Sequence, residues 1–357
     1  MTMLGACRAC GLPRALSLTQ AWRDGCIVDI TSGTASLCVY EAAYPSLLVA
    51  ELEGKLGIPL GRIVYHAGTH AAVKVLGVLY ESHPHIGRVL FSAPLHTFTE
   101  RMLVGFGKAI GVAEVRIVER RRGDGATVDI KDPFDLSNCL AIISGILQIA
   151  DGCRIAYDIL EKNASYLVDF RRAEGEDGEE ETYRRLFAEN LVPERRGEGA
   201  SLARCGRCGA PRGVGALLSF DLERGLIIDR SDGTRTIFMG VHGLNSILRE
   251  LGRELGSCVD DILIAFERRG LAERLAANGD AFPPWEEGAL REYLALRGLG
   301  LLEEMREREG AWEVVVKNAF LAPVVAGRLL ALRDHRSGGR VSLEYEVEGS
   351  TLRLVLS

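Results

Sequence analysis

The chain has 357 residues, 47% hydrophobic and 26% charged, with 43 basic and 49 acidic side chains and a formal net charge of −6. These values exclude a disordered, collagenous or disulfide-framework protein. The acidic balance argues against a general nucleic-acid binder, which must neutralise phosphates, and at about 150 residues per domain the length suits two domains.

The N-terminus reads Leu4-Gly5-Ala6-Cys7, which resembles a lipoprotein cleavage site. No basic and apolar segment precedes it, so no signal peptide is expected. The longest nearly apolar stretch, 140–150, is far short of the ~20 residues of a membrane span. Nine cysteines without an export signal then point to a cytoplasmic protein with reduced thiols, in which metal ligation outranks disulfides. Cys7-Arg-Ala-Cys10-Gly11 has the spacing of a metal knuckle: two thiolates bracket a tight turn and glycine permits the conformation after the second.

From here the chain repeats itself. Cys7-Arg-Ala-Cys10-Gly11-Leu-Pro13 returns as Cys205-Gly-Arg-Cys208-Gly209-Ala-Pro211. Asp24-Gly25-Cys-Ile27-Val28-Asp29 returns as Arg224-Gly225-Leu-Ile227-Ile228-Asp229, and Ser32-Gly33-Thr34 as Asp232-Gly233-Thr234. A stretch from Ala126 to Phe134 matches one from Ala311 to Phe320. The order is kept, which predicts two duplicated domains: a first repeat at 1–172, an acidic and glycine-rich linker or exposed helix at 173–200, and a second repeat at 201–357.

Each repeat reads as the knuckle, a hairpin turning near Gly33 or Gly233, and an amphipathic helix over roughly 43–56 or 243–255. A variable helical stretch follows, at 66–110 or 265–300. Two strands then flank Gly123-Asp-Gly125 or Glu309-Gly310, and a helix starts after Asp132 or Asn318, read as N-caps. A closing hairpin ends each repeat. The fold class is therefore α+β: two duplicated domains, each an antiparallel sheet of hairpins packed by helices and preceded by a CxxCG metal knuckle.

Each repeat supplies two thiolates, whereas structural zinc takes four ligands. One shared tetrathiolate site of Cys7, Cys10, Cys205 and Cys208 is the economical arrangement; separate pairs with local ligands, or unoccupied turns, are the alternative. Zinc is the expected ion, with an iron–sulfur cluster as a lesser option on the same ligand set. A thioredoxin-like redox pair is disfavoured, because no apolar strand precedes either knuckle. His66 and His70, four apart in the first repeat, share a helix face near His83, His85 and His96. They suit a metal, haem or ligand site, or are scattered surface histidines. Cys139 and Cys153 read as core packing. No nucleophile elbow, phosphate loop or paired-carboxylate signature is present.

The late region of each repeat resembles the 4-vinyl-reductase-type, or hydrocarbon-binding, small-molecule domain. The residues are Gly111 to Phe134, then Gly145 and the closing hairpin; and Trp312-Glu-Val-Val-Val-Lys-Asn318-Ala-Phe320, then Ala326-Gly327-Arg328 and the hairpin through Leu352. The resemblance covers the last third to half of each repeat. It implies a helix-lined apolar pocket over a sheet, usually without catalysis. Phe134 and Gly145, or Phe320 and Gly327, would line it, with the pocket expected in the first repeat. The tyrosine–serine–arginine motif of related haem sensors is absent. The expected function is binding or sensing of a small hydrophobic ligand, aromatic, acyl or tetrapyrrole-like. An enzyme or reductase-like accessory on an aromatic or tetrapyrrole substrate, and a protein-interaction scaffold, are the alternatives.

Overall fold

A computed structural model describes residues 5–82, 96–162, 164–174, 191–194, 202–256 and 258–357. After the first knuckle come α1 (Arg14–Thr19), β1 (Gln20–Arg23), β2 (Cys26–Asp29), β3 (Ala35–Glu41), α2 (Tyr44–Leu56), α3 (Gly61–Ser82), α4 (His96–Ala109), β4 (Glu114–Arg121), β5 (Gly125–Lys131), α5 (Leu136–Asp151), β6 (Ile155–Lys162) and β7 (Tyr166–Arg172). The second half runs through the same order: α6 (Arg212–Leu217), β8 (Leu218–Asp221), β9 (Leu226–Asp229), β10 (Arg235–Gly240), α7 (Val241–Leu255), α8 (Cys258–Asn278), α9 (Glu287–Arg297), β11 (Leu301–Arg308), β12 (Ala311–Lys317), α10 (Ala322–Ser337), β13 (Leu343–Glu348) and β14 (Thr351–Leu356). The fold is α+β, and every strand pairing is antiparallel.

The hairpins that follow the knuckles do not form separate sheets. They join in one six-stranded sheet, β1-β2-β3-β10-β9-β8, closed at its centre by β3 against β10, with Val39 opposite Phe238. Each late region keeps its own four-stranded sheet, β4-β5-β7-β6 or β11-β12-β14-β13.

The late regions are also exchanged. The second half's late region docks on the first half's hairpin: Gly300 N–H donates to Gly25 O at 3.0 Å, and the Trp22 indole to Leu296 O at 3.0 Å. The first half's late region docks on the second half's hairpin, where Phe238 N–H donates to Ile110 O at 2.9 Å and Lys108 Nζ to Glu223 O at 2.8 Å. Gly25 lies so close to the Gly300 carbonyl that no Cβ fits, and Gly225 stands in the same relation to Ala113. One core cluster accordingly runs from Cys26, Tyr40 and Leu52 in the first half to Leu263, Val324 and Leu354 in the second. The repeats of the sequence are therefore not separate packing units.

Three expectations need correction. Asp132 and Asn318 are not N-caps. Both have positive φ, 46° and 56°. Asp132 pairs with Arg224 at 2.8 Å, and the Asn318 amide donates to Asp24 O at 3.0 Å, so each reaches the opposite half. The α5 cap is Asp135, whose carboxylate accepts from Asn138 N–H, and α10 begins after Leu321 with no side-chain cap. Next, the 173–200 segment is not wholly an exposed linker. Leu191 joins the core and its carbonyl accepts from Ala35 N–H at 2.7 Å. Last, a six-residue helix separates each knuckle from its hairpin.

Candidate metal centre and apolar cavity

Each knuckle is a closed turn. Gly11 N–H donates to Cys7 O and Cys7 N–H to Leu12 O, both at 2.8 Å; Gly209 and Cys205 repeat the pattern with Cys205 O and Ala210 O. Gly11 and Gly209 have φ of 77° and 75°, which L side chains rarely adopt. The first cysteine of each pair receives the turn's amides. Backbone N–H groups of Ala9 and Cys10 pull the Cys7 thiol down, and those of Arg207 and Cys208 pull Cys205 down to about 6. The second cysteines move the other way: burial pushes Cys10 up to about 12 and raises Cys208.

The structure brings all four sulfurs together, within 4.8 Å of one another. Cys7 lies 3.9 Å from Cys205, and Cys10 3.5 Å from Cys208. A tetrahedral ion with sulfur at ~2.3 Å needs sulfurs about 3.8 Å apart. The set therefore fits one metal ion. A multi-iron cluster places its own atoms between the thiolates and needs a wider cage. The knuckles meet beside Trp22, Phe238 and Leu296 in a cluster that includes Leu12, Leu16 and Val214. The remaining cysteines are separate from the site. Burial drives Cys26, Cys38 and Cys139 up to about 12, which makes them inert core thiols.

A cavity of about 300 Å³ lies between the central strands and the helices α2, α3, α4, α5 and α7. Leu48, Leu52, Val64, Phe106, Ile142 and Leu248 are among its apolar walls. Phe134 and His70 line it, whereas Gly145, Phe320, Gly327 and His66 are not among its lining residues. Both glycines sit at helix crossings. A Cβ on Gly145 would lie 2.7 Å from Thr69 O and from the Ala72 Cβ of α3; one on Gly327 would lie 2.7 Å from Ile264 O and 2.6 Å from the Glu267 Cβ of α8. The neighbour in each case is a helix, not the sheet. Gly145→Leu is therefore expected to overpack the α3–α5 crossing and cost about 1–3 kcal/mol in urea unfolding; an unchanged stability would refute the contact. His66 packs edge-on against Tyr65. Among the described residues the four cysteines form the one metal-competent cluster, and it includes neither histidine. His83 and His85 lie outside the described residues, as does the side chain of His96.

The sequence reading missed a buried charge network. Arg328, 1% exposed, donates from Nε to Glu267 at 2.9 Å and from Nη1 to Glu41 at 3.2 Å, with a further close contact from Nη2 to Glu41. Tyr40 O–H donates to Glu267, and the Arg328 guanidinium lies 5.2 Å over the Tyr40 ring. Arg274 bonds Glu41 and, at 2.6 Å, Asp232; Arg297 bonds Asp229. Three guanidiniums thus face four carboxylates, one negative charge too many. Burial pushes Glu267 up to about 7, against the pull of Arg328, so Glu267 is the member that can hold the compensating proton. Burial also opposes ionisation of Glu41, but Arg328 and Arg274 outweigh it and hold that carboxyl down to about 2. The available signal was a charge on an apolar helix face, with Val324, Val325 and Leu329 beside Arg328.

No family model, curated protein or solved structure matches the chain. Among the described residues, no helix is long and apolar enough to cross a membrane.

Proposed function

We propose that the protein is a non-catalytic binding or sensory protein for a small apolar ligand, built from two duplicated copies that a zinc tetrathiolate holds together in the cytoplasm. The cavity carries this reading. Its volume lies at the lower end of the range for small-molecule sites, and its walls are mainly apolar with a few polar groups. The resemblance of the late regions to hydrocarbon-binding domains is part of the same reading.

Contrary to expectation, the pocket is not confined to the first half, because residues between 237 and 248 of the second half also line it. A comparison of the two late regions nonetheless favours its opening over the first half's α3 and α5. The helices α5 and α10 end at the left-handed glycines Gly152 and Gly338. Aligned on these, Ile142 stands opposite Arg328 and Ala141 opposite Gly327. Ala141 meets Gly68 across the crossing, and Gly327 meets Glu267. Where the second half carries Glu267 and Arg328 in an ion network, the first half therefore carries Gly68 and Ile142, which both line the cavity. The network fills what the first half leaves open.

Soft thiolates in a four-fold set suit zinc, which needs no redox chemistry to stabilise a fold. Cys7, Cys10, Cys205 and Cys208 would hold it, and the ion would supply a cross-link between the halves. Native mass spectrometry of the purified chain tests the functional reading. The expected result is an apolar small molecule released from the folded protein alongside one metal ion. A bound chromophore with redox or ring-modifying chemistry, or a cavity that takes up no apolar probe, would overturn it.

A further inference from the structure

We propose that the ligand of the cavity is neutral and carries a single oxygen, that of a ketone or an alcohol, which bonds to the hydroxyl of Ser246 on α7. This rests on the reading of the cavity as a ligand site and adds the ligand's chemical class. The helices α3 and α7 meet where a Cβ on Gly243 would lie 3.5 Å from that of Ala71, and both residues line the cavity. Ser246 lines it one turn further along α7. The apolar body of the ligand would meet Leu48 and Leu52 of α2 and Ile142 and Ile146 of α5.

Ser246 is 3% exposed, and its buried hydroxyl has no hydrogen-bond partner. A serine inside a helix can donate to the carbonyl four residues back; Ser246 does not, so its donor is unspent. Among the described lining residues it is the one such buried hydroxyl. Ser36 donates to Gln20 at 2.5 Å, Ser32 and Thr34 bond each other at 2.8 Å, and Tyr40 donates to Glu267. A buried donor left unmade is costly, and an oxygen on a ligand would satisfy it.

The charged lining groups decide against an ion. Asp29 Oδ1 accepts from the Thr31 and Ser32 amides in the hairpin turn, and His70, Lys74 and His242 are each already engaged within the fold. An ionised head would have to compete for its counter-charge and would lose its hydration to apolar walls. A neutral oxygen escapes most of that cost and still meets Ser246. At about 30 Å³ per non-hydrogen atom, the share of a water in the liquid, the cavity holds on the order of ten such atoms. A medium-chain ketone or alcohol has that size.

Displacement of Nile red from the full-length, metal-loaded protein tests the assignment. 2-Octanone and 2-methyl-1-octene share one shape, a methylene replacing the ketone oxygen, whereas octanoate and octylamine carry a charge on a chain of the same length. 2-Octanone is expected to displace the dye better than either ion. Ser246→Ala is expected to weaken 2-octanone about fivefold, the worth of one net hydrogen bond, and to leave 2-methyl-1-octene unchanged. Without ligand the variant should melt no lower than the parent, because no bond of the fold is lost. An equal effect of Ser246→Ala on the ketone and the alkene, a lower melt, or displacement led by octanoate or octylamine overturns the assignment and leaves the apolar cavity standing. If Nile red itself does not bind, the cavity reading fails as well.

Discussion

Replacing Cys7 by serine should destabilise the protein as much as replacing Cys205, because either change leaves three thiolates around one ion that belongs to both halves. The four sulfurs lie within 4.8 Å of one another, and neither knuckle has a third described ligand of its own. Structural zinc contributes its binding free energy to folding, on the order of 10–16 kcal/mol in small zinc domains. Each hundredfold loss of metal affinity removes about 2.7 kcal/mol of stability at fixed free metal. Elemental analysis of the parent chain should give one ion. Thermal melts should show a large fall on chelation, and equal falls for Cys7→Ser and Cys205→Ser. Two ions per chain, or a Cys7→Ser variant that still holds metal while Cys205→Ser does not, would show two independent knuckles.

The second large effect belongs to Arg328. Arg328→Met leaves Glu267 and part of Glu41 buried without their guanidinium, and breaking a buried pair by removing one partner costs about 3–5 kcal/mol. Adding Glu267→Leu should recover part of that loss, since it removes a buried carboxyl left without its guanidinium; urea unfolding of the four-member cycle gives the coupling directly. A loss under about 1 kcal/mol for Arg328→Met would show that the network does not hold the halves together. The pH dependence follows from the same geometry. Glu267 is raised in the fold, so its contribution is complete below the ordinary carboxylate range and is lost as pH rises to about 7. Glu41 is depressed, so its contribution is present above that range and is lost only as pH falls toward about 2. Glu267→Gln cannot lose a proton. Its melting temperature should gain on the parent's from pH 5 to 7 and keep a constant gap above, with metal held saturating throughout. A gap that does not change with pH would place the excess proton elsewhere in the network.

The knuckles, the hairpins and the closing strands were legible because each is local: two cysteines and a glycine, or β-rich runs around a turn. Who packs on whom was not. When two segments are alike, a contact between Gly25 and its own late region has the same sequence signature as one with the other copy, and only the structure shows Gly300 as the partner. Asp132 and Asn318 illustrate the difficulty. A polar residue before a helix reads as a cap, and nothing nearby reveals that it instead turns through positive φ to meet the opposite hairpin. Arg328 meets Glu41 across 287 residues, a pairing that no helical or strand period encodes. The cavity has a similar origin. Its wall includes Gly68 and Ile142, residues that are unremarkable alone and acquire meaning only when set beside Glu267 and Arg328.

The shared metal centre also sets a timetable for the nascent chain. Cys7 and Cys205 are separated by 198 positions. At ~5–20 residues per second, the first knuckle spends about 10–40 s on the ribosome before its partner exists. Throughout that interval it presents two thiols to free metal, to oxidants and to knuckles on neighbouring polysomes. The β3 edge is equally unpaired until β10 is made.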